Sequence, residues 1–105
     1  MEPVSGFSVI TLRGESDAFA APRVRSDLAT ALGTEAPLVV DLTPATFIDS
    51  TIVGVLLEAK RLAAERGADY SVVLGETTGE AVRRMFEMTG LVGILPVVER
   101  DEAPG

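Results

Sequence analysis

Three polar residues, Asp49, Ser50 and Thr51, lie between an apolar segment and a second, strongly apolar segment that has helical periodicity. Serine and aspartate are both frequent N-cap residues, because their side-chain oxygens accept a hydrogen bond from a free amide of the first turn. The N-terminus of a helix also accommodates a phosphate group well. The pattern therefore leaves two roles open for Ser50, helix cap and phosphoacceptor, and Asp49 is an equal candidate for the cap.

Catalytic chemistry has little support in the sequence. The chain has no cysteine and no histidine, which removes thiolate nucleophiles, the commonest general base and the commonest metal ligand. Asp17, Asp41 and Asp49 could gather at one edge of a sheet and bind Mg²⁺. However, the lysine that an aspartyl-phosphate receiver needs on a late strand is missing, since Lys60 lies in the middle of a predicted helix. We expect no enzyme activity, no metal and no cofactor.

Charge and length restrict the class of protein further. Sixteen acidic and nine basic residues give a net charge of −7, which argues against binding to nucleic acid or to an anionic membrane. No apolar run approaches the ~18 residues of a transmembrane helix, so we expect no membrane insertion and a cytoplasmic location. The length of 105 residues predicts a single domain over 1–105, with 99–105 as a frayed tail.

Strands and helices are predicted to alternate along the chain. Runs rich in β-branched and aliphatic residues indicate strands, and apolar residues three or four apart indicate helices. A capping box formed by Thr77 and Glu80 is expected to begin the last helix. The predicted strands are 2–4, 7–14, 38–42, 69–75 and 94–98, the predicted helices are 21–33, 50–66 and 76–90, and 14–22 and 43–49 are predicted loops. This alternation is typical of an α/β domain with a largely parallel or mixed sheet.

Three segments resemble the STAS domain family, and specifically its bacterial anti-sigma factor antagonists. The segment VVDLTPATFIDSTIVGVLLEAKRLA, from Val39, resembles the family's signature of a strand, a loop, Asp-Ser and an apolar helix. GESDAFAAP, from Gly14, resembles the family's Gly-Glu-Leu-Asp loop, and AVRRMFEMTGLVGIL, from Ala81, resembles its third helix. The three occur in the family's order and cover nearly the whole chain.

This resemblance implies a fold and a function. The implied fold is a small mixed sheet of four to five strands with helices packed mainly on one face. The implied function is partner switching: the unphosphorylated protein binds an anti-sigma factor that is itself a serine kinase, which releases a sigma factor. Phosphorylation of Ser50, or as second choice Thr51, ends the binding, and a phosphatase restores it.

The resemblance also implies a partner-binding surface, formed by Asp17, Thr46, Asp49, Ser50, Thr51, Ile52 and Gly54. The sequence departs from the family pattern here, because Ile52-Val53 replaces the usual Gly-Leu. A branched side chain at Ile52 is expected to obstruct the close approach of a partner's backbone or to shift the helix start. This departure favours an alternative function, that of a constitutive, non-phosphorylated STAS subunit of a stress-signalling scaffold or of a transport complex.

Overall fold

A computed structural model describes residues 2–4 and 6–100 of the chain. A 3-10 turn at Ala18–Ala20 leads directly into the first helix. The strands in this range are β1 (Glu2–Val4), β2 (Phe7–Thr11), β3 (Gly14–Ser16), β4 (Leu38–Asp41), β5 (Ala45–Ile48), β6 (Tyr70–Leu74) and β7 (Val97–Glu99), and the helices are α1 (Ala21–Leu32), α2 (Ser50–Arg66), α3 (Glu80–Met88) and α4 (Leu91–Ile94).

Five strands form the main sheet in the order β1-β2-β4-β6-β7. Strands β2, β4, β6 and β7 are parallel, and β1 pairs antiparallel with β2. Ile10, Val40 and Val72 are in register across three strands, and all three are buried, whereas the next row along is only half-buried. Side chains alternate between the two faces of a sheet, so one face carries the core beneath the helices. The predicted fold class, a small mixed sheet with helices mainly on one face, is confirmed.

Helix α2 has the bounds that the sequence predicts. Its buried stripe packs into the core, and the apolar residues recur at the three- and four-residue spacing of an amphipathic helix. The helix ends at Gly67, which adopts a left-handed conformation with φ of 66° that favours glycine. Helix α1 packs beside α2. The buried residues of α2 are Ile52, Val55, Leu56, Ala59 and Ala63.

A second, two-stranded parallel sheet is formed by β3 and β5, in segments where the sequence predicted loops. In β5 the outer residues Ala45 and Ile48 are buried, and the two between them are exposed. This burial pattern lacks the alternation that identifies a strand in a sequence. The strands are short, with three and four residues, and β3 has the turn-like sequence Gly-Glu-Ser. The prediction of loops was wrong here, and the difference matters because β5 leads directly to Ser50.

Helix α3 begins at Glu80, and the predicted capping box was wrong. The N-cap residue is Gly79, which makes no side-chain cap. The Thr77 hydroxyl instead donates to the carbonyl oxygen of Thr43 over 3.2 Å, and so fastens the approach to α3 to the end of β4. A Cβ atom on Gly79 would lie only 2.8 Å from the Cα and carbonyl oxygen of Thr46, so the two backbones are in direct contact. Only glycine fits between α3 and β5 without a shift.

The end of the described chain is held more firmly than the sequence predicted. The strand predicted at 94–98 begins only at Val97, as β7, and Ile94 instead ends the short helix α4, which follows Gly90 in a left-handed conformation. Glu99 forms an ion pair with Arg83 over 2.7 Å, and Arg100 forms one with Asp41 over 3.2 Å. Glu99 and Arg100 therefore do not belong to a frayed tail, and residues 101–105 lie outside the described residues.

No helix within residues 2–4 and 6–100 combines the length and the apolar character that crossing a membrane would require.

Candidate functional site

Strands β3 and β5 end side by side, and this brings two acidic residues together. Ser16 is in register with Ile48, and the amide of Asp49 donates to the carbonyl oxygen of Ser16 over 2.9 Å. Because the strands are parallel, the residues that follow them, Asp17 and Asp49, leave the small sheet at the same edge. The sequence predicted that Asp17 and Asp49 lie near each other, and the pairing of β3 with β5 is what places them at one edge.

Asp49 is the N-cap residue of α2. Its backbone is extended, with φ −77° and ψ 156°, and its Oδ1 atom accepts a hydrogen bond from the Thr51 amide over 2.8 Å. The Thr51 amide, followed by the Thr51 hydroxyl, holds the pKa of the Asp49 carboxyl below its usual value. Of the two capping candidates that the sequence left open, the structure selects Asp49.

Ser50 is therefore the first residue of the helix and has no capping task. Its side chain is exposed, and its hydroxyl has no hydrogen-bond partner among the described residues. Thr51, the second-choice phosphoacceptor, is exposed as well. The Ser50 hydroxyl therefore lies at the surface and takes part in no hydrogen bond among the described residues.

The residues around Ser50 form a small, mostly polar surface. Asp17 is exposed and caps the 3-10 turn, since its Oδ1 accepts from the Phe19 amide over 3.1 Å. Gly54 lies one helical turn after Ser50 on the same side of α2, and the position of a Cβ atom there has no other atom within 4 Å. We call the half-buried Asp49 and the exposed residues Asp17, Ser50, Thr51 and Gly54 the Ser50 surface.

Two further residues from the predicted partner-binding set have different positions. Thr46 is exposed on β5, three residues before Asp49, and its backbone rests against Gly79. Ile52 is fully buried, with no exposed area, so its side chain belongs to the core and not to a binding surface. The partner-binding role predicted for Ile52 stays a prediction, but its side chain is not part of the exposed surface. The expected obstruction by its branched side chain does not arise, because the helix turns that side chain inward.

Carboxylates do not assemble into a metal site in the described part of the chain. No group of three or more acidic side chains there is close enough to hold a metal ion. Asp41 instead accepts hydrogen bonds from the amide and the hydroxyl of Thr43, over 3.0 and 2.6 Å, and pairs with Arg100. Three clefts of about 370, 330 and 190 Å³ lie elsewhere on the molecule, and their lining residues include no member of the Ser50 surface.

Sequence reasoning missed one prominent residue beside this surface. Phe19 lies on the 3-10 turn next to Asp17, and 93% of its side chain is exposed. An aromatic residue between two alanines, outside any helical or strand-like apolar period, was the available signal.

A model of the STAS domain family matches residues 1–103. The chain is a member of the STAS domain family. An anti-sigma-B factor antagonist from Listeria monocytogenes is similar to this STAS protein, with 33% identity over 84% of the chain and 75% of the relative.

Two solved structures, both named SpoIIAA, resemble this STAS domain over 96% of its length. The anti-sigma factor antagonist SpoIIAA in its unphosphorylated form superposes with a TM-score of 0.77, and 86% of that chain is covered. The Bacillus cell fate determinant SpoIIAA in its phosphorylated form superposes with a TM-score of 0.69, with 89% covered. The sequence identity is 25% in both cases.

Proposed function

We propose that this STAS protein is an anti-sigma factor antagonist, a binding protein that phosphorylation switches off. In the unphosphorylated form it binds an anti-sigma factor that is also a serine kinase, and a sigma factor is released. Phosphorylation of Ser50 ends this binding, and a phosphatase restores it. The activity belongs in the cytoplasm, with the transcription machinery. The names of the similar proteins support the partner class, and SpoIIAA is known in both phosphorylation states.

The proposal rests on a single observation, which is that Asp49 and not Ser50 caps α2. Asp49 caps α2, and Ser50 offers an exposed hydroxyl with no hydrogen-bond partner among the described residues. A phosphate on Ser50 adds about −1.5 to −2 charges at neutral pH. The partial positive charge of the helix N-terminus partly compensates this added charge, so the domain stays folded.

The phosphate instead weakens the binding of the partner. A phosphate on Ser50 repels any carboxylate that a bound partner places against this surface, and its bulk also excludes the partner sterically. Two like unit charges roughly 4 Å apart cost about 4 kcal/mol at an effective dielectric constant of about 20. Half of that cost weakens binding roughly thirtyfold, which is enough to separate a bound state from a free one.

The alternative function, a constitutive STAS subunit, was favoured by Ile52 in place of glycine. The burial of Ile52 removes that reason, because the surface beside Ser50 is lined by Thr51 and Gly54 and not by a branched apolar side chain. The same surface then has room for a kinase, which must bring ATP to the Ser50 hydroxyl.

The test is a phosphorylation assay with an anti-sigma factor kinase from the same genome and ATP, followed by mass spectrometry of the modified site. We expect phosphate on Ser50, no phosphate on Ser50→Ala, and normal phosphorylation of Thr51→Ala as the matched control. Calorimetry should show that Ser50→Ala retains binding and Ser50→Asp weakens it. Modification of neither hydroxyl, or equal binding by both Ser50 variants, would contradict the switch and favour the constitutive subunit.

A further inference from the structure

The cleft of about 330 Å³ lies between β2 and the first turns of α1. Part of its lining is apolar, from the buried side chains of Ile10, Leu12 and Val24. Arg13, two residues after β2, and Arg23, in the first turn of α1, also line it, and both are exposed. The cleft therefore combines an apolar wall with two cationic side chains from separate elements.

These two arginines have no anionic partner in the part of the chain that the structure describes. Neither Arg13 nor Arg23 forms an ion pair or a side-chain hydrogen bond with a described residue. An arginine side chain is always charged, and its planar set of N–H donors matches the two oxygens of a carboxylate. Five of the nine basic residues do form ion pairs there, namely Arg25, Arg61, Arg83, Arg84 and Arg100.

The other charges around the cleft leave it locally positive. Helix α1 has no side-chain cap and no acidic residue in its first turn, so the positive end of its dipole adds to the two arginines. Asp27, one turn after Arg23, is half-buried and lines the cleft, but it pairs with neither arginine. Glu15 and Asp17 are not among the lining residues. The lining thus carries two positive charges and one negative charge, on a protein with a net charge of −7.

The cleft adjoins the Ser50 surface through Ser16. This residue lines the cleft, and its carbonyl oxygen accepts from the Asp49 amide over 2.9 Å, immediately before Ser50. A partner that covers the Ser50 surface is therefore beside the cleft as well. Charge complementarity calls for an acidic group of the partner at this position.

We infer that Arg13 and Arg23 together bind an aspartate or glutamate side chain of the anti-sigma factor. This inference rests on the proposed function and adds to it the chemistry by which the partner is recognised. In the unphosphorylated protein the two arginines attract the carboxylate, and a phosphate on Ser50 repels the same carboxylate. Attraction and release then act on one group of the partner, and the signs of the two effects agree.

The experiment measures the binding of an anti-sigma factor kinase by calorimetry to variants that each remove one charge. Arg13→Gln and Arg23→Gln should each raise the Kd about tenfold, because a charge-assisted hydrogen bond is lost. Lys60→Gln is the matched control, since Lys60 is exposed on α2 and lies outside the cleft, and it should bind like the unsubstituted protein. Asp27→Asn should bind more tightly, because it removes the negative charge from the lining.

Charge reversal identifies the partner's carboxylate. Arg23→Glu should weaken binding more than Arg23→Gln does, since it replaces attraction with repulsion. Replacing acidic residues of the anti-sigma factor by arginine, one at a time, should reveal one variant that restores the binding of Arg23→Glu. That variant should give no such gain with Lys60→Glu, because the coupling is specific to residues in contact. Restoration by none of these variants would overturn the inference.

The remaining outcomes separate the inference from the proposed function. If the unsubstituted protein binds the kinase and both arginine variants bind equally well, the inference is overturned and the proposed function stands. An equal loss in Lys60→Gln, or weaker binding by Asp27→Asn, would also overturn it. So would a cleft that binds inorganic phosphate through the arginines while the arginine variants keep their affinity for the kinase. If the unsubstituted protein binds no anti-sigma factor, both fail. Circular dichroism of every variant verifies that the fold is retained.

Discussion

The backbone N–H of Asp49 donates a hydrogen bond to the carbonyl oxygen of Ser16 over 2.9 Å, which joins the ends of β5 and β3. With the Asp49 cap on the Thr51 amide, this bond fixes the backbone on both sides of Ser50. The backbone geometry at Ser50, the proposed phosphoacceptor, is thus determined by its neighbours. The Ser50 side chain itself contributes little to the stability of the fold, and measurements of unfolding can test this.

Ser50→Ala should leave the free energy of unfolding unchanged within about 0.5 kcal/mol, because the hydroxyl has no partner among the described residues. Asp49→Ala should lower it, since the Thr51 amide loses its side-chain acceptor. Urea unfolding followed by circular dichroism measures both variants. A larger loss in Ser50→Ala than in Asp49→Ala would mean that Ser50 caps the helix in solution.

The Asp49 carboxylate should make stability depend on pH in the acid range. Its folded-state pKa lies below the usual value of 3.8, because the carboxylate accepts hydrogen bonds from Thr51. Its contribution is therefore complete above that value and is lost as the pH falls through the lower, folded-state value. Asp49→Asn keeps a good cap without the charge, so we predict that the stability difference between the two proteins shrinks below about pH 3.8. A difference that stays constant down to acid unfolding would contradict the charged cap.

Ile52→Ala should destabilise the fold without affecting the partner. The side chain is fully buried, and truncation of a buried isoleucine typically costs about 2–5 kcal/mol. Val53→Ala, at the half-buried next position, is the matched control and should cost less. Urea unfolding gives the free energies, and calorimetry on the folded variant gives the affinity. Weaker binding by folded Ile52→Ala would mean that this side chain reaches the partner.

Gly54→Ala should stabilise the helix and weaken partner binding. The added methyl group meets no atom within 4 Å, and alanine is favoured over glycine inside a helix by about 0.5–1 kcal/mol. The methyl group would nevertheless stand on the Ser50 surface, where the proposed function places the partner. Ala64→Gly, at another exposed position of α2, should lower stability by a similar amount and leave binding intact. An unchanged Kd for Gly54→Ala would place Gly54 outside the interface.

Tyr70→Phe should remove a contribution to the free energy of unfolding that is present at neutral pH and is lost at alkaline pH. The Tyr70 hydroxyl donates to the carbonyl oxygen of Leu56 over 3.1 Å, and burial raises the pKa of this phenol well above its usual value of 10.0. Folding therefore favours the protonated phenol, and its contribution is complete below pH 10.0 and is lost as the pH rises further. At neutral pH the variant should be less stable by about 1 kcal/mol. Urea unfolding at neutral and alkaline pH should show this gap closing, and a gap independent of pH would contradict the burial of the hydroxyl.

The main sheet and α2 could be predicted from the sequence because their patterns are local. Helix α2 combines an apolar stripe, polar residues at its start and a terminal glycine, and its predicted bounds match the structure. Strands β2, β4 and β6 carry the aliphatic runs that buried strands need. These signals require no knowledge of distant partners.

The parts that could not be predicted depend on contacts between distant segments. Strands β3 and β5 exist because they pair with each other across more than 25 residues, and neither alternates clearly on its own. The Thr77–Glu80 spacing suggested a capping box, but Thr77 instead bonds to Thr43, which lies far away in the sequence. The residue at which α2 begins determines the direction in which each of its side chains points, and the Asp49 cap fixes that residue. The sequence alone therefore did not show that Ile52 points into the core.

The contact between Gly79 and Thr46 has a consequence for genetics. A methyl group on Gly79 would press on the backbone of β5, the strand that continues through Asp49 to Ser50. A screen for loss-of-function alleles should therefore recover substitutions at Gly79 whose phenotype resembles that of substitutions in the Ser50 surface, although Gly79 is not a member of that surface. Suppressors of such alleles should map to β5 or to the start of α3, and not to the partner's gene.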